Sequence, residues 1–449
     1  MLVLLLIWIA LLAALLVWVI GMPGEGGGMT LAYFLGLSLI HVPGALAFMD
    51  PFVALPGREA TQVGFELTLL ALAMFTAGAL LVRAFNSARA SGEAAIATAS
   101  AQVFDSLGWR AFILGGVSYF VVIPIAGHIP SMTSIVSALA TLLIIGLWLR
   151  LYGAVLSHNS RRLLSSLAIL PLLPLATLTT GGFIGFGVYW ALSVVCFWFA
   201  IARRRTGFYI AAPFVTVLAL SLFVTYMGQR VGIREVVWRE QAGWADRLQR
   251  ISTIATDFQF LDLGRGAHIE ALNDRLNQNY FVGVGVLRHR TGAVDLEYGA
   301  TVSPLALVPR ALWSDKPAVG GGGDLVTRFT GLPLAYGTSF GAGQVLEFYM
   351  NFGTTGVVVG FFLLGMIFMR LDGLVMRALG RGDVTALLTP SMVGLALMQP
   401  GGNMLEIIVA VVAAYVAAKL LATSSLLGPR ATKASAVGDR VRMPEAGSA

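Results

Sequence analysis

Residues 343–369 read GQVLEFYMNFGTTGVVVGFFLLGMIFM, and this stretch decides the fold class. Glu347 is its single charged residue, and the stretch exceeds the roughly 20 apolar residues that cross a bilayer as a helix. Ten further apolar stretches predict an all-α, polytopic membrane protein with about eleven transmembrane helices. These ten lie near residues 1–22, 29–49, 60–82, 111–127, 131–150, 162–180, 182–202, 207–227, 384–400 and 403–422.

The composition supports this class. Of the 449 residues, 57% are hydrophobic and 12% are charged, whereas soluble globular proteins carry about 25% charged residues. The formal net charge is +7, but it does not indicate a nucleic-acid-binding protein. The basic residues cluster in short segments between apolar stretches, as the positive-inside rule describes. The single cysteine, Cys196, excludes an intramolecular disulfide.

Lysine and arginine positions also predict the orientation. With eleven spans, the basic short connections fall on one face, which we assign to the cytoplasm. The prediction places transmembrane helices 1–8 in residues 1–227 and helices 9–11 in residues 343–425. One large, partly helical extracytoplasmic loop, residues 228–342, lies between helices 8 and 9. Residues 426–449 are predicted to form a disordered cytoplasmic tail.

The predicted outer loop has its own charge pattern. Residues 228–340 hold 12 of the 30 lysines and arginines of the chain. Long translocated segments do not follow the positive-inside rule, so these cations need another explanation. The centre of the loop, residues 309–317, reads PRALWSDKP. A cationic turn between two prolines, above a membrane, indicates an anionic, lipid-linked substrate.

Two motifs carry a resemblance to a known family. PRALWSDKP at 309–317 and EFYMNFG at 347–353 resemble the signature of Wzy-type polysaccharide polymerases, the O-antigen or oligosaccharide repeat unit polymerase family. In that family, PR-x-LW-x-(D/N)KP lies in a large outer loop and E-x-x-x-NFG opens the next membrane helix. NDRLN at 273–277 and EYGAT at 297–301 also look like family segments. The detailed resemblance covers about a quarter of the chain.

The resemblance implies an inverting membrane glycosyltransferase in the bacterial inner membrane. Such an enzyme polymerises repeat units linked to undecaprenyl pyrophosphate into a surface polysaccharide, such as O antigen or an exopolysaccharide. The implied partners are a chain-length regulator protein and a flippase, and no cofactor is implied. The chain has no DxD motif, so we expect a metal-independent reaction. One departure concerns TTGG at 179–182, where relatives often carry a basic residue in a turn at an outer helix end.

The implied reaction needs a base for the attacking hydroxyl and cations for the leaving pyrophosphate. Glu347 is the first candidate base, because an ionisable residue within a membrane helix is rare and commonly functional. Glu66 and Glu406 lie in similar positions near predicted outer helix ends. His289 is an alternative base, since imidazole titrates near neutral pH.

Arg310 is the predicted catalytic cation, because a guanidinium group binds two phosphate oxygens at once. Trp313 is expected to stack on sugar and Asn351 to position groups nearby. The basic candidates have structural alternatives, namely headgroup contact and pairing with loop acids such as Asp274. The full set predicted to bind pyrophosphate or glycan is Lys316, Arg288, Arg290, Arg275, Arg328, Trp313 and Asn351.

Two other functions remain open from the sequence. One is a ligase of the O-antigen ligase type, which transfers a finished glycan to another acceptor. The other is a flippase or transporter for lipid-linked oligosaccharide. Transporters place charged sites and broken helices near the bilayer midplane, often in two repeated halves. Here the candidate acids lie near predicted outer helix ends, and one large loop breaks any symmetry.

Overall fold

The computed structural model describes residues 1–21, 26–49, 57–90, 101–126, 129, 132–202, 206–238, 243–299, 322–334, 341–424 and 426. These residues form helices and no β-strand. Eight helices among them are long and apolar enough to cross a membrane, or nine if one bent pair is a single span. The chain is therefore an all-α, polytopic protein whose apolar helices indicate that it is embedded in a membrane.

The helices follow one another along the whole described chain, and a π-helical turn, Ser118–Val122, joins α5 to α6. Their bounds are α1 Leu2–Gly21, α2 Gly28–Leu39, α3 Val42–Met49, α4 Arg58–Ala90, α5 Ala101–Val117, α6 Ile123–Ala126, α7 Met132–Ala140, α8 Leu142–Leu156, α9 Ser160–Leu167, α10 Leu172–Gly181, α11 Gly185–Ile201, α12 Thr206–Trp238, α13 Trp244–Thr256, α14 Gly266–Leu276, α15 Gln278–Arg290, α16 Gly322–Thr330, α17 Gln344–Arg381, α18 Val384–Leu397 and α19 Met404–Thr423.

All eleven predicted stretches coincide with helices, but they are not equally long. Eight coincide with the long apolar spans, and a ninth coincides with the bent pair α2–α3. The remaining two, near residues 182–202 and 384–400, coincide with the shorter apolar helices α11 and α18. The number of membrane crossings and the side of each loop stay predictions.

The second predicted span is bent, as Pro43 and Gly44 indicate. Helices α2 and α3 meet at an angle of 40°, and α15 supplies hydrogen-bond partners at the bend. The backbone N–H of Gln278 donates to the carbonyl of Ile40 at 2.9 Å. The side-chain amide of Asn279 donates to the carbonyl of His41 at 2.6 Å. The backbone groups freed by the bend are thus satisfied inside the protein, as an apolar environment requires.

Helix α17 consists of two helices that fold back on one another. Phe352 (φ −139°, ψ 17°) and Gly353 (φ 64°, ψ −157°) leave the helical conformation. The rings of Phe348 and Phe361 have centroids 5.5 Å apart, although 13 residues of straight helix would separate them by about 20 Å. Residues 344–351, here called the entry half-helix, therefore lie against the longer second part. The span predicted over residues 343–369 coincides with the long apolar helix Gln344–Arg381, and the interruption at Phe352 and Gly353 was not predicted.

Small residues allow this fold-back. A side chain on Gly360 would approach the ring of Phe348 within 2.7 Å, and one on Gly356 would meet the carbonyl oxygen of Phe348. These two glycines form the GxxxG pattern of the span, and such patterns allow two helices to approach closely. Here the close partner is the entry half-helix of the same chain.

Part of the predicted outer loop is helical and packs on the membrane helices. Helices α13 to α16 lie within residues 228–342, and α12 continues past its predicted end at residue 227 to Trp238. On α15, Gly283 lies directly against the backbone of Ala60 on α4. Phe329 of α16 is fully buried. The described parts of this segment are therefore docked on the helical core.

Candidate functional site

A side chain from the first turn of α17 caps α19, and Asn403 just before α19 binds the chain just before α17. Glu347 accepts a hydrogen bond at Oε2 from the backbone N–H of Met404, at 2.7 Å. In return, Asn403 accepts one at Oδ1 from the backbone N–H of Ala342, at 3.0 Å. Free N–H groups at a helix start need acceptors, and a carboxylate there also interacts favourably with the helix dipole. Glu347 is fully buried in this arrangement, so it joins two helices.

A second carboxylate lies beside the first. Glu406 is in the first turn of α19, two residues after Met404, and its side chain is exposed. The side-chain amide of Asn403 donates to its Oε1 at 3.1 Å. Asn403 thus connects the start of the entry half-helix to Glu406. The two carboxylates differ in access, because Glu347 is enclosed and Glu406 is not.

Glu406 lines a cavity of about 360 Å³ between α7, α10, α11, α18 and α19. Most of the lining surface is apolar, two aromatic rings form one wall, and ten of the 18 described lining residues carry at least one polar side-chain atom. The centroids of Tyr119 and Trp190 lie 5.3 Å apart with an interplanar angle of 70°. The polar lining residues are Tyr119, Thr133, Ser134, Ser137, Thr141, Thr177, Tyr189, Trp190, Gln399 and Glu406.

Two arginines, Arg234 and Arg247, contact the end of α10 and the turn that follows it. Arg230 and Arg275 interact electrostatically with Arg234, and we call these four residues the arginine group. The guanidinium carbon of Arg234 is 4.6 Å from the ring centroid of Phe183. Burial, followed by the charges of Arg230 and Arg234, lowers the pKa of Arg275 to about 10. The neighbouring charges of Arg230 and Arg234 disfavour the charged form of Arg275, whereas Tyr226 and Asp274 favour it.

The arginine group and the cavity meet at the turn that carries TTGG. Arg247 donates from Nη1 to the carbonyl of Thr179 at 3.4 Å. The next residue, Thr180, shares a hydrogen bond of 2.5 Å with the hydroxyl of Tyr119 on the cavity wall. The turn has no basic residue of its own, but α13 supplies one from elsewhere in the chain.

The predicted residues at the end of α15 form a separate group. His289 has its Nδ1 3.1 Å from the carbonyl of Val294, and its ring centroid lies 5.8 Å from that of Tyr349. Arg288 donates to the carbonyl of Ala293 at 3.5 Å, and Arg290 is exposed. None of these residues is among the described residues that line the cavity.

Arg328 and Asn351 belong to the opposite end of the entry half-helix. Arg328 forms an ion pair with Glu297. Two residues later, the backbone N–H of Gly299 donates to Oδ1 of Asn351 at 3.0 Å. The side-chain amide of Asn351 donates to the carbonyl of Glu347 at 2.8 Å. These contacts attach residues 297–299 to the membrane helices.

Three predicted site residues, Arg310, Trp313 and Lys316, lie outside the described residues. The structure does fix the chain on either side of them. Gly299 is bonded to Asn351, and α16 begins at Gly322 with buried residues on one face.

Three residues of the EFYMNFG motif have structural roles in the fold. Glu347 caps α19, Asn351 binds both its own helix and residue 299, and Gly353 adopts a positive φ at the reversal. Each of these residues stabilises the reversal between the entry half-helix and the second part of α17, or its attachment to α19. The assignment of Glu347 as base stays a prediction, which its burial does not favour.

The sequence analysis missed most of the residues around the cavity. In the arginine group, Arg230 and Arg234 could be recognised from the sequence, because residues four apart lie on one face of a helix. Tyr119, Tyr189 and Gln399 carry no such signal, since they come together only through contacts between distant helices.

Across the described ranges, no three His, Cys, Asp or Glu residues are close enough to share a metal ion. Comparison with protein-family models, with curated proteins and with solved structures finds no match for this chain.

Proposed function

We propose that this protein is an inverting membrane glycosyltransferase that polymerises oligosaccharide repeat units linked to a polyprenyl pyrophosphate. One observation carries the proposal: the last turn of α10 contacts Arg247 of the arginine group through Thr179 and the cavity wall, at Tyr119, through Thr180. A pyrophosphate leaving group and an incoming sugar need two such adjoining environments. The resemblance of residues 309–317 and 347–353 to Wzy-type polymerases points to the same reaction.

The arginine group is suited to a pyrophosphate. Arg234 and Arg275 belong to different helices, α12 and α14, so they can approach an anion from different directions. Guanidinium groups bind phosphate oxygens in pairs and stay charged at neutral pH. Burial lowers the pKa of Arg275 most, and the charges of Arg230 and Arg234 lower it further; an anion among these arginines would offset the second contribution. Cations held at this position would stabilise the charge that develops on the leaving group.

The cavity is suited to the attacking sugar. In the proposed reaction, a hydroxyl oxygen of the acceptor sugar forms a bond to the anomeric carbon of the donor. The bond from that carbon to the pyrophosphate oxygen breaks, and the leaving pyrophosphate keeps the electron pair. The hydroxyl proton passes to Glu406, which is the carboxylate with access to the cavity. Attack opposite the leaving group inverts the anomeric centre.

A second candidate function is transport of a lipid-linked oligosaccharide. Transporters often use broken helices whose starts meet inside the membrane domain. The bent pair α2–α3 and the entry half-helix are of this kind. The same experiment separates the two functions, because polymerisation changes the length of the glycan and transport changes only its side of the bilayer.

The test is reconstitution of the full chain in proteoliposomes with a panel of synthetic undecaprenyl pyrophosphate-linked oligosaccharides. A ladder of longer lipid-linked glycans is expected from the wild type. The ladder should be lost in Arg234→Ala and Glu406→Gln and kept in Arg161→Ala, an exposed control on α9. Movement of the oligosaccharides across the bilayer without any ladder would reject the polymerase and support the transporter.

A further inference from the structure

We infer that the cavity beside Glu406 selects a sugar without an acidic group. The inference rests on the proposed function and names the class of acceptor that the enzyme takes. Among the described lining residues, Glu406 is the single charged side chain. A carboxylate accepts hydrogen bonds and cannot donate them. It therefore binds the hydroxyl of a neutral sugar and repels the carboxylate of a uronic acid.

The aromatic wall strengthens the same preference. Tyr119 and Trp190 form a corner, with centroids 5.3 Å apart and planes at 70°, and Tyr189 lines the same cavity. The faces of aromatic rings carry partial negative charge. They attract the C–H faces of a neutral sugar ring and disfavour an anion. Two kinds of lining group thus act against acidic sugars.

The cavity is better suited to a short piece of glycan than to the polyprenyl chain. Its volume of about 360 Å³ lies in the range of small-molecule sites, about 300–1,000 Å³. A hydrocarbon tail would cover Glu406, Gln399 and the hydroxyl groups of Ser134 and Ser137 without offering them hydrogen bonds. Burial of polar groups without partners is costly, and burial of a carboxylate is the most costly case.

The test compares two sugars that differ at one carbon. Methyl β-glucoside and methyl β-glucuronide are titrated into the purified full chain in lauryldimethylamine oxide, a detergent that carries no sugar. Tryptophan fluorescence reports binding, and Trp190→Phe separates the cavity signal from that of the other tryptophans. The glucoside should bind about tenfold or more tightly than the glucuronide, since a like charge at contact distance is repelled even in partly screened surroundings.

Glu406→Gln is the matched variant, because it keeps the size of the side chain and removes its charge. In this variant the two sugars should bind with affinities within about threefold of each other, as expected once the charge repulsion is gone. Equal binding of both sugars to the wild type would overturn the inference. So would a preference that survives in Glu406→Gln, or the absence of any signal that depends on Trp190.

Failure of this inference is distinguishable from failure of the proposed function. A glycan ladder formed from acidic repeat units would support the polymerase function and reject the selectivity for neutral sugars. Selective binding of the glucoside without any ladder would leave the sugar site standing and reject the polymerase.

Discussion

The buried carboxylate of Glu347 accepts a 2.7 Å hydrogen bond from the backbone N–H of Met404, 57 residues further along the chain. This contact joins the entry half-helix to the first turn of α19, where Glu406 lines the cavity. A second contact, from the N–H of Ala342 to the side chain of Asn403, joins the residues that immediately precede these two helices. The position of the accessible carboxylate therefore depends on the buried one.

Substitution of Glu347 separates a structural role from a catalytic one. Glu347→Gln keeps an acceptor for the N–H of Met404, so we expect a folded protein that retains most of its polymerising activity. Glu347→Ala leaves that buried N–H without a partner, which costs about 1–3 kcal/mol. Thermal unfolding in detergent and the glycan ladder measure the two effects. A Glu347→Gln variant that is as stable as the wild type yet inactive would show that Glu347 itself is the base.

Gly353 is expected to be essential for the reversal in α17. It has φ 64° and ψ −157°, and residues with a side chain adopt such backbone conformations only at a cost of about 1–3 kcal/mol. Gly353→Ala should therefore lower the unfolding temperature. Gly380→Ala is the matched control in the same helix, because no atom lies within 4 Å of the position its new side chain would take. Alanine there should be neutral or stabilising by up to about 1 kcal/mol.

The helices could be predicted from the sequence alone, but only part of the candidate site could be. The apolar run 403–422 predicted α19 closely, because length and hydropathy suffice to identify a membrane helix. The reversal at Phe352 and Gly353 was missed, although glycine is common where a helix ends. The partner of Glu347 could not be predicted, since Met404 comes into contact only once α17 and α19 are packed.

Asp372 is expected to hold the start of α2 in place. Its side chain accepts hydrogen bonds from the N–H of Met29 at 3.0 Å, the N–H of Thr30 at 2.9 Å and the hydroxyl of Thr30 at 2.7 Å. Asp372→Ala removes all three acceptor contacts and should destabilise the protein by at least about 2–3 kcal/mol.

Hydrogen exchange gives the local measurement for Asp372→Ala. The amides of Met29 and Thr30 should exchange faster, while those of α18 keep their protection. Asp383→Ala serves as comparison, because Asp383 is an exposed cap of α18 and its loss should cost only about 1 kcal/mol. Equal losses of stability in Asp372→Ala and Asp383→Ala would contradict the larger role assigned to the buried Asp372.

The charges of the arginine group are expected to lower the stability of the fold and to favour the binding of an anion. The pKa of Arg275 is lowered from its ordinary value to about 10, mainly by burial, so the unfolded chain binds this proton more tightly than the folded chain does. The charge of Arg275 therefore destabilises the fold at every pH below about 10, and this effect declines as the pH rises from there toward the ordinary pKa of arginine. Arg275→Gln should accordingly unfold at a higher temperature than the wild type at neutral pH.

Inorganic pyrophosphate should reverse the order of the unfolding temperatures of the wild type and Arg275→Gln. An anion that binds only the folded state raises the unfolding temperature, and it should do so more for the wild type than for Arg275→Gln. The shift should weaken with added salt, because exposed charges are screened. Arg161→Ala should respond to pyrophosphate as the wild type does, since Arg161 lies on α9 and not in the arginine group. A pyrophosphate shift that is equal in the wild type and in Arg275→Gln would remove Arg275 from the anion site.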